Sequence, residues 1–180
     1  QVLQIFCSPY SPLFVDTVNG LVATSASREV LRKIIQSSAT QLRSTKLSST
    51  DFEVLAKGQL IIPLSNVLWS AALYGSYGQL IPSHSSEVPV QLKAWPNLSR
   101  LDFEPQHMKL ASVMAARAMT LKQVQEKLQL PWDTVVSFYN AAWATGLIAI
   151  SPANLPVTSD NKNSDKIGLF AKIANRLKLA

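Results

Sequence analysis

Short apolar runs at the start of the chain have the spacing of strands. Residues 2–7 form the first run, and residues 13–16 and 21–24 form two more that are joined across Val18, Asn19 and Gly20. Apolar runs of this length bounded by turn residues are typical of strands. Asn-Gly favours a type I′ hairpin turn, because both residues tolerate a positive φ. The pattern predicts a small antiparallel sheet that opens the chain.

Helical spacing follows this sheet. Ser27 is a candidate N-cap for an amphipathic helix whose apolar face is formed by Val30, Leu31, Ile34 and Ile35. Residues 36–50 are rich in Ser and Thr and predict a loop, and a short helix or a turn that ends near Gly58 is expected over residues 51–56. A buried helix should begin after Pro63, with Ser65 as its candidate cap. Alternation over residues 88–94 predicts a strand at a sheet edge, where Pro89 is tolerated.

Three helical patterns with short connections fill the second half. Pro105 suits the first position of a helix whose shared face is His107, Leu110, Ala111, Met114 and Ala118. Thr120 is placed to cap a second helix over residues 121–128. A third helix is predicted over residues 132–145, ending near Gly146, and a strand should follow at residues 147–150.

This order resembles the winged helix-turn-helix domain of bacterial regulators over residues 103–151. The features that carry the resemblance are the short helix capped by Thr120 and the exit Ala144-Thr145-Gly146-Leu147-Ile148. The longer run 63–150 is also similar to a poorly described class of proteobacterial proteins, through Leu68-Trp69, Gly78-Gln79-Leu80 and residues 95–101. The resemblance implies a bacterial regulatory or interaction protein, in which helix 132–145 would be the DNA-reading helix.

The composition of that third helix argues against DNA reading. It contains no Lys or Arg, and its expected outward side is Asp133, Thr134, Ser137, Asn140, Ala141 and Ala144. Useful affinity for DNA needs several phosphate contacts from Lys or Arg. The candidate nucleic-acid residues of this alternative are Lys122, Lys127 and Asn140. We favour a surface that binds protein and keep DNA binding as the alternative.

Charge is concentrated at the C-terminus. The chain has 17 Lys and Arg against 11 Asp and Glu, and residues 160–180 hold five basic and two acidic residues. A helical stripe over residues 166–180 is formed by Ile167, Phe170, Ile173, Ala174 and Leu177. A basic amphipathic helix of this kind suits a partner's groove or a membrane surface, and it could equally fold back on its own domain.

No group of residues predicts catalysis. Cys7 is the only cysteine, the two histidines lack the neighbours of a zinc site, and the six glycines form no phosphate-binding loop. Neither a cofactor nor a small-molecule substrate is expected. The lone cysteine favours a cytoplasmic location. Because the chain begins with Gln1 and no leader pattern precedes Thr24, we expect it to be a fragment or a processed product.

The sequence as a whole predicts an α+β protein with three parts. These are an N-terminal sheet with packed helices at 1–95, a winged-helix-like unit at 96–157, and a linker with a tail helix at 158–180. Its expected function is that of a non-enzymatic bacterial regulatory or adaptor module that binds another protein or a second copy of itself. If exposed together, aromatic residues would mark the contact site, and the candidates are Trp95, Tyr74 and Tyr77.

Overall fold

The computed structural model describes residues 1–150, apart from the side chain of Ala39. The tail residues Ile167, Phe170, Ile173 and Leu177, and the linker before them, lie outside the described residues. Within residues 1–150 the chain is an α+β protein, as the sequence predicts. No helix in this part of the chain is long and apolar enough to cross a membrane.

A five-stranded antiparallel sheet forms the first half, in the order β4-β1-β2-β3-β5. Its strands are β1 (Val2–Cys7), β2 (Leu13–Asp16), β3 (Leu21–Thr24), β4 (Leu42–Leu47) and β5 (Leu60–Pro63). The first three coincide with the predicted apolar runs. β4 and β5 are the two edge strands, and the sequence analysis had identified neither.

The prediction of a loop over residues 36–50 is wrong. A 3-10 turn at Ala39–Gln41 leads into β4, whose whole length pairs with β1. Most of the side chains of β4 are exposed, so this strand carries no apolar pattern that would reveal it. Its position is determined by backbone hydrogen bonds to β1, which a Ser- and Thr-rich edge strand can make as well as an apolar one.

The predicted type I′ turn between β2 and β3 is also wrong. Asp16 pairs with Leu21, so four residues form the loop, and Gly20 has a positive φ while Asn19 does not. Asp16 determines this geometry, because its carboxylate accepts hydrogen bonds from the backbone N–H of Val18 at 2.9 Å and of Asn19 at 3.1 Å. These hydrogen bonds hold the pKa of Asp16 below its usual value, with the side-chain amide of Asn19 contributing most.

Six helices complete the described chain. They are α1 (Arg28–Ile35), α2 (Ser49–Leu55), α3 (Leu64–Gly75), α4 (Pro105–Ala116), α5 (Leu121–Leu128) and α6 (Trp132–Ala144). Ser27 caps α1 and Thr120 caps α5, as predicted. Ser65 does not cap α3, because the chain passes directly from β5 into this helix and Pro63 occupies the cap position.

Helices cover both faces of the sheet. On one face α1 and the start of α3 pack over Cys7, Leu13, Val15 and Val22. On the other face Phe52 of α2 packs against Val2, Phe14 and Ala23. The sheet has a hydrophobic cluster on each side, and its two edge strands remain at the surface.

The second half has its own core, to which α3 also contributes. Trp69 and Leu73 of α3 belong to the same buried cluster as Leu110 of α4, Val124 of α5 and Phe138 of α6. Two short strands, β6 (Val90–Leu92) and β7 (Ile148–Ile150), pair antiparallel beside these helices. The cluster therefore includes residues on both sides of position 95, and the division of the chain into domains there stays a prediction.

Candidate protein-interaction site

The expected outer side of α6 is covered by the chain itself in its middle, whereas Asp133 and Ala144 near its ends are exposed. Helix α3 and the segment after it pack along this side. Asn140 is only 1% exposed and Ala141 is fully buried, so the expectation that both face outward is wrong. The side-chain amide of Asn140 donates a hydrogen bond to the backbone oxygen of Gln79 at 2.8 Å. Asn140 is thus part of an internal contact and is not available to read a base.

The two lysines of the DNA-binding alternative lie on α5, and their settings differ. Lys122 forms an ion pair with Glu87, with Nζ 2.5 Å from Oε1, and this hydrogen bond raises the pKa of Lys122. Lys127 is exposed beside Glu126 in a shallow groove. Because Asn140 is buried, Lys122, Lys127 and Asn140 do not form one open surface.

The two predicted tyrosines hold α3 against α1. Arg32 donates a hydrogen bond to the hydroxyl of Tyr74 at 2.7 Å, and its guanidinium lies 4.3 Å from the centre of the same ring. Burial raises the pKa of Tyr74, and the charge of Asp102 acts in the same direction. Tyr77 is exposed, but its hydroxyl donates to the backbone oxygen of Gln36 at 2.8 Å. Tyr74 is therefore committed to an internal contact.

Trp95 is exposed, although less so than Tyr77. It exposes 52% of its surface, whereas the adjacent Pro96 is fully buried. Since Tyr74 is half-buried, the structure does not bring all three aromatic residues together as one exposed patch. Trp95 stays a candidate contact residue on its own.

A pocket that the sequence analysis missed lies at the edge strand β5, on the face of the sheet that α1 covers. Its volume is about 120 Å³. Four parts of the chain meet there: the start of α1, strand β5, helix α3 and the segment 100–102. The apolar lining residues are Ala26, Leu31, Leu60, Ile62, Val67 and Leu101. The polar lining residues are Arg28, Asn66, Ser70, Arg100 and Asp102.

Asp102 organises the polar side of this pocket. Ser70 donates a hydrogen bond to its carboxylate at 2.7 Å, and the indole N–H of Trp69 donates to its backbone oxygen at 2.8 Å. The Nε of Arg28 lies 3.7 Å from the same carboxylate. Arg100 is exposed and makes no ion pair within residues 1–150. One aspartate and two arginines thus line the pocket, and its charged lining residues carry an excess of positive charge.

The backbone of β5 is open on its outer side. Within the described residues β5 pairs with β3 alone. The backbone N–H of Leu64 donates a hydrogen bond to the backbone oxygen of Gly20. Hydrogen-bonded and non-hydrogen-bonded residue pairs alternate along an antiparallel ladder. The backbone groups of Ile62 and Leu60 therefore also bond to β3. The N–H and C=O of Ile61 and the C=O of Pro63 therefore point away from the sheet. Pro63 has no N–H, which limits this free edge to a short stretch.

Two features hid the pocket from sequence reasoning. Leu60 and Ile62 belong to an apolar run that continues into α3, so the run has no clear strand signal of its own. The charged residues Arg28, Arg100 and Asp102 are brought together from distant positions by the fold. Arg100 and Asp102 are two positions apart in the sequence, but nothing in the sequence indicates that Arg28 lies near them.

Comparison of the chain with protein-family models, curated proteins and solved structures gave no match. The resemblance to winged helix-turn-helix regulators therefore stays a prediction. Within residues 1–150, no three His, Cys, Asp or Glu side chains come together in a way that could hold a metal ion. Any assignment of function has to come from the surfaces described above.

Proposed function

We propose that the protein is a non-enzymatic bacterial regulatory or adaptor module that binds another protein through the pocket at β5. One observation carries this proposal: an apolar pocket with two arginines lies at a strand whose outer edge is unpaired within the described residues. The buried centres of protein interfaces are more apolar than the rest of the protein surface, and arginine is enriched both in interfaces and among the residues that contribute most to binding. Leu60 is 59% exposed, which adds apolar surface to the rim of the pocket.

The polar groups of the pocket support binding rather than catalysis. The hydroxyl of Ser70 donates a hydrogen bond to the carboxylate of Asp102. A serine nucleophile needs a base, most often histidine, within hydrogen-bond reach. Neither histidine nor cysteine is among the residues that line the pocket in the described chain. Arginine and aspartate with apolar neighbours form an arrangement suited to recognition.

The covered side of α6 supports protein binding over DNA binding. A helix that reads the major groove must present its outer side chains to base edges. Helix α3 lies on that side of α6, and Lys122 is paired with Glu87. Reading a base with Asn140 would require the segment after α3 to move away from α6, because Asn140 is 1% exposed and donates a hydrogen bond to the backbone oxygen of Gln79.

The proposal is tested by chemical crosslinking of the full chain in extracts of its host, with the crosslinked protein identified by mass spectrometry. We expect one protein to be crosslinked to the wild type and to Val54→Glu, and to be lost with Leu60→Glu. Both positions are exposed, at 67% and 59%, so neither change should unfold the chain, and Val54 lies outside the pocket. Equal crosslinking of all three proteins would show that the pocket is not the contact site.

A titration with random duplex DNA tests the alternative. We expect no mobility shift at low salt. Binding that falls steeply with salt concentration and is lost in Lys122→Ala/Lys127→Ala would instead establish DNA binding through α5. That result would contradict the proposed function.

A further inference from the structure

We propose that the partner's contact segment is an extended peptide that adds to β5 as a sixth strand of the sheet and carries one acidic side chain beside Arg100. This inference rests on the proposed function, because it specifies the partner of the same pocket. Strand addition combines backbone hydrogen bonds at an open sheet edge with pockets that take alternate side chains. Both components are present at β5.

The backbone component is short and specific. Ile61 offers one donor and one acceptor to the outside, and Pro63 offers an acceptor only. A residue of an added strand can therefore exchange two backbone hydrogen bonds with Ile61. Pro63 can accept a hydrogen bond from such a strand but has no N–H to donate. The edge can pair with a few residues of a partner but does not offer a long template for aggregation.

The side-chain component comes from the alternation along β5. Leu60 and Ile62 point to the pocket side of the sheet, and Ile61 points to the other side. An added strand has the same alternation, so every second side chain lies on the pocket side. There it meets Leu31, Val67 and Leu101, which suits an apolar side chain.

The charge of the pocket indicates which type of residue the partner segment carries beside its apolar side chain. Asp102 offsets one of the two arginines, since Arg28 lies within 3.7 Å of its carboxylate. Arg100 has no acidic partner within residues 1–150, and its exposed guanidinium can bind a carboxylate with two parallel hydrogen bonds. A segment with one Asp or Glu near its apolar anchor therefore complements the pocket.

The test uses a library of random octapeptides with blocked ends, screened against the full chain. We expect selected peptides to alternate apolar and polar residues and to carry one Asp or Glu. Arg100→Gln should weaken binding of a selected peptide by roughly tenfold, as for the loss of one charge-assisted contact. Replacing the acidic residue of the peptide by its amide should cause a similar loss with the wild type and little further loss with Arg100→Gln. Arg43→Gln, on the opposite edge strand β4, is the matched control and should bind normally.

Hydrogen exchange of the Ile61 amide distinguishes strand addition from side-chain docking. We expect this amide to exchange fast in the free protein and slowly with the peptide bound, while the Ile62 amide is protected in both states. Selected peptides that bind without protecting Ile61, or an Ile61 amide already protected in the free chain, would overturn the inference.

If Leu60→Glu still abolishes crosslinking of the partner in that case, the proposed function stands without strand addition. If crosslinking is insensitive to Leu60→Glu, the proposed function fails as well.

Discussion

Gly78 shows how a single residue sets the distance between two parts of the fold. Its φ is +71°, a backbone conformation that L side chains rarely adopt. A Cβ atom built on it would lie 2.5 Å from the Cβ and 2.8 Å from the Cα of Asp133, in the first turn of α6. The turn after α3 thus approaches α6 so closely that the backbone of Asp133 leaves no space for a side chain.

Gly78→Ala should lower the free energy of unfolding by about 2–5 kcal/mol, from left-handed strain together with overpacking. Gly58→Ala is the matched control, because Gly58 has a φ of +74° but nothing within 4 Å of its added Cβ. The control should lose only about 1–2 kcal/mol. Urea denaturation of both variants measures the difference. Equal losses would show that the close approach to Asp133 has no energetic effect.

Helix α4 begins with a histidine in an unusual capping role. The backbone N–H of Glu104 donates to Nδ1 of His107 at 3.0 Å, so the proton of the neutral ring must be on Nε2. His107 is 3% exposed, and this burial lowers its pKa, although Glu104 acts in the opposite direction. A protonated ring could not accept the bond from Glu104. The start of the helix therefore requires neutral histidine.

The free energy of unfolding should consequently fall as the pH is lowered. The fall begins near pH 6.5, the ordinary pKa of histidine, and continues down to the lower pKa of His107 in the folded chain. In this window the unfolded chain binds a proton that the folded chain does not, so acid favours unfolding. Urea midpoints between about pH 5 and 7.5 measure this slope. His107→Gln should be less stable and show a flatter dependence of stability on pH. An unchanged slope in His107→Gln would rule out His107 as its source.

The molecule as a whole is held together by α3, which contacts both the N-terminal sheet layer and the C-terminal helices. Trp69 is fully buried, and its ring meets that of Phe138 edge to face at 5.7 Å between centroids. Its indole N–H also donates a hydrogen bond to the backbone oxygen of Asp102, whose carboxylate contacts Ser70 and Arg28 in the pocket. From the same helix, Tyr74 contacts Arg32 of α1.

Trp69→Ala should destabilise the chain by about 3–5 kcal/mol, because it removes a large buried side chain and leaves a cavity. Since α3 contacts both halves, amides of Val22 in β3 and Val136 in α6 should lose protection from hydrogen exchange together. Trp95→Ala, at a position that is 52% exposed, should cost less than about 1 kcal/mol. Loss of protection confined to α6 would show that the two halves unfold independently.

Local patterns were sufficient for the elements that have strong local signals. β1 to β3 coincide with apolar runs, and α1, α4, α5 and α6 coincide with apolar stripes and with caps such as Thr120. β4 and β5 were missed because an edge strand is specified by its partner's backbone more than by its own side chains. Asn140 was placed on the wrong side because an amphipathic pattern cannot show that a second helix covers the polar face.

Periodicity and capping residues were enough to establish that this chain is an α+β protein with a sheet followed by helices, since those signals act between neighbours in sequence. The covering of α6 by α3 and the pocket of Arg28, Arg100 and Asp102 depend on contacts between residues far apart in the chain. Such contacts arise only when the elements pack, because burial and charge at each position depend on what lies against it. For this reason the candidate site became visible in the folded structure and not in the pattern of residues.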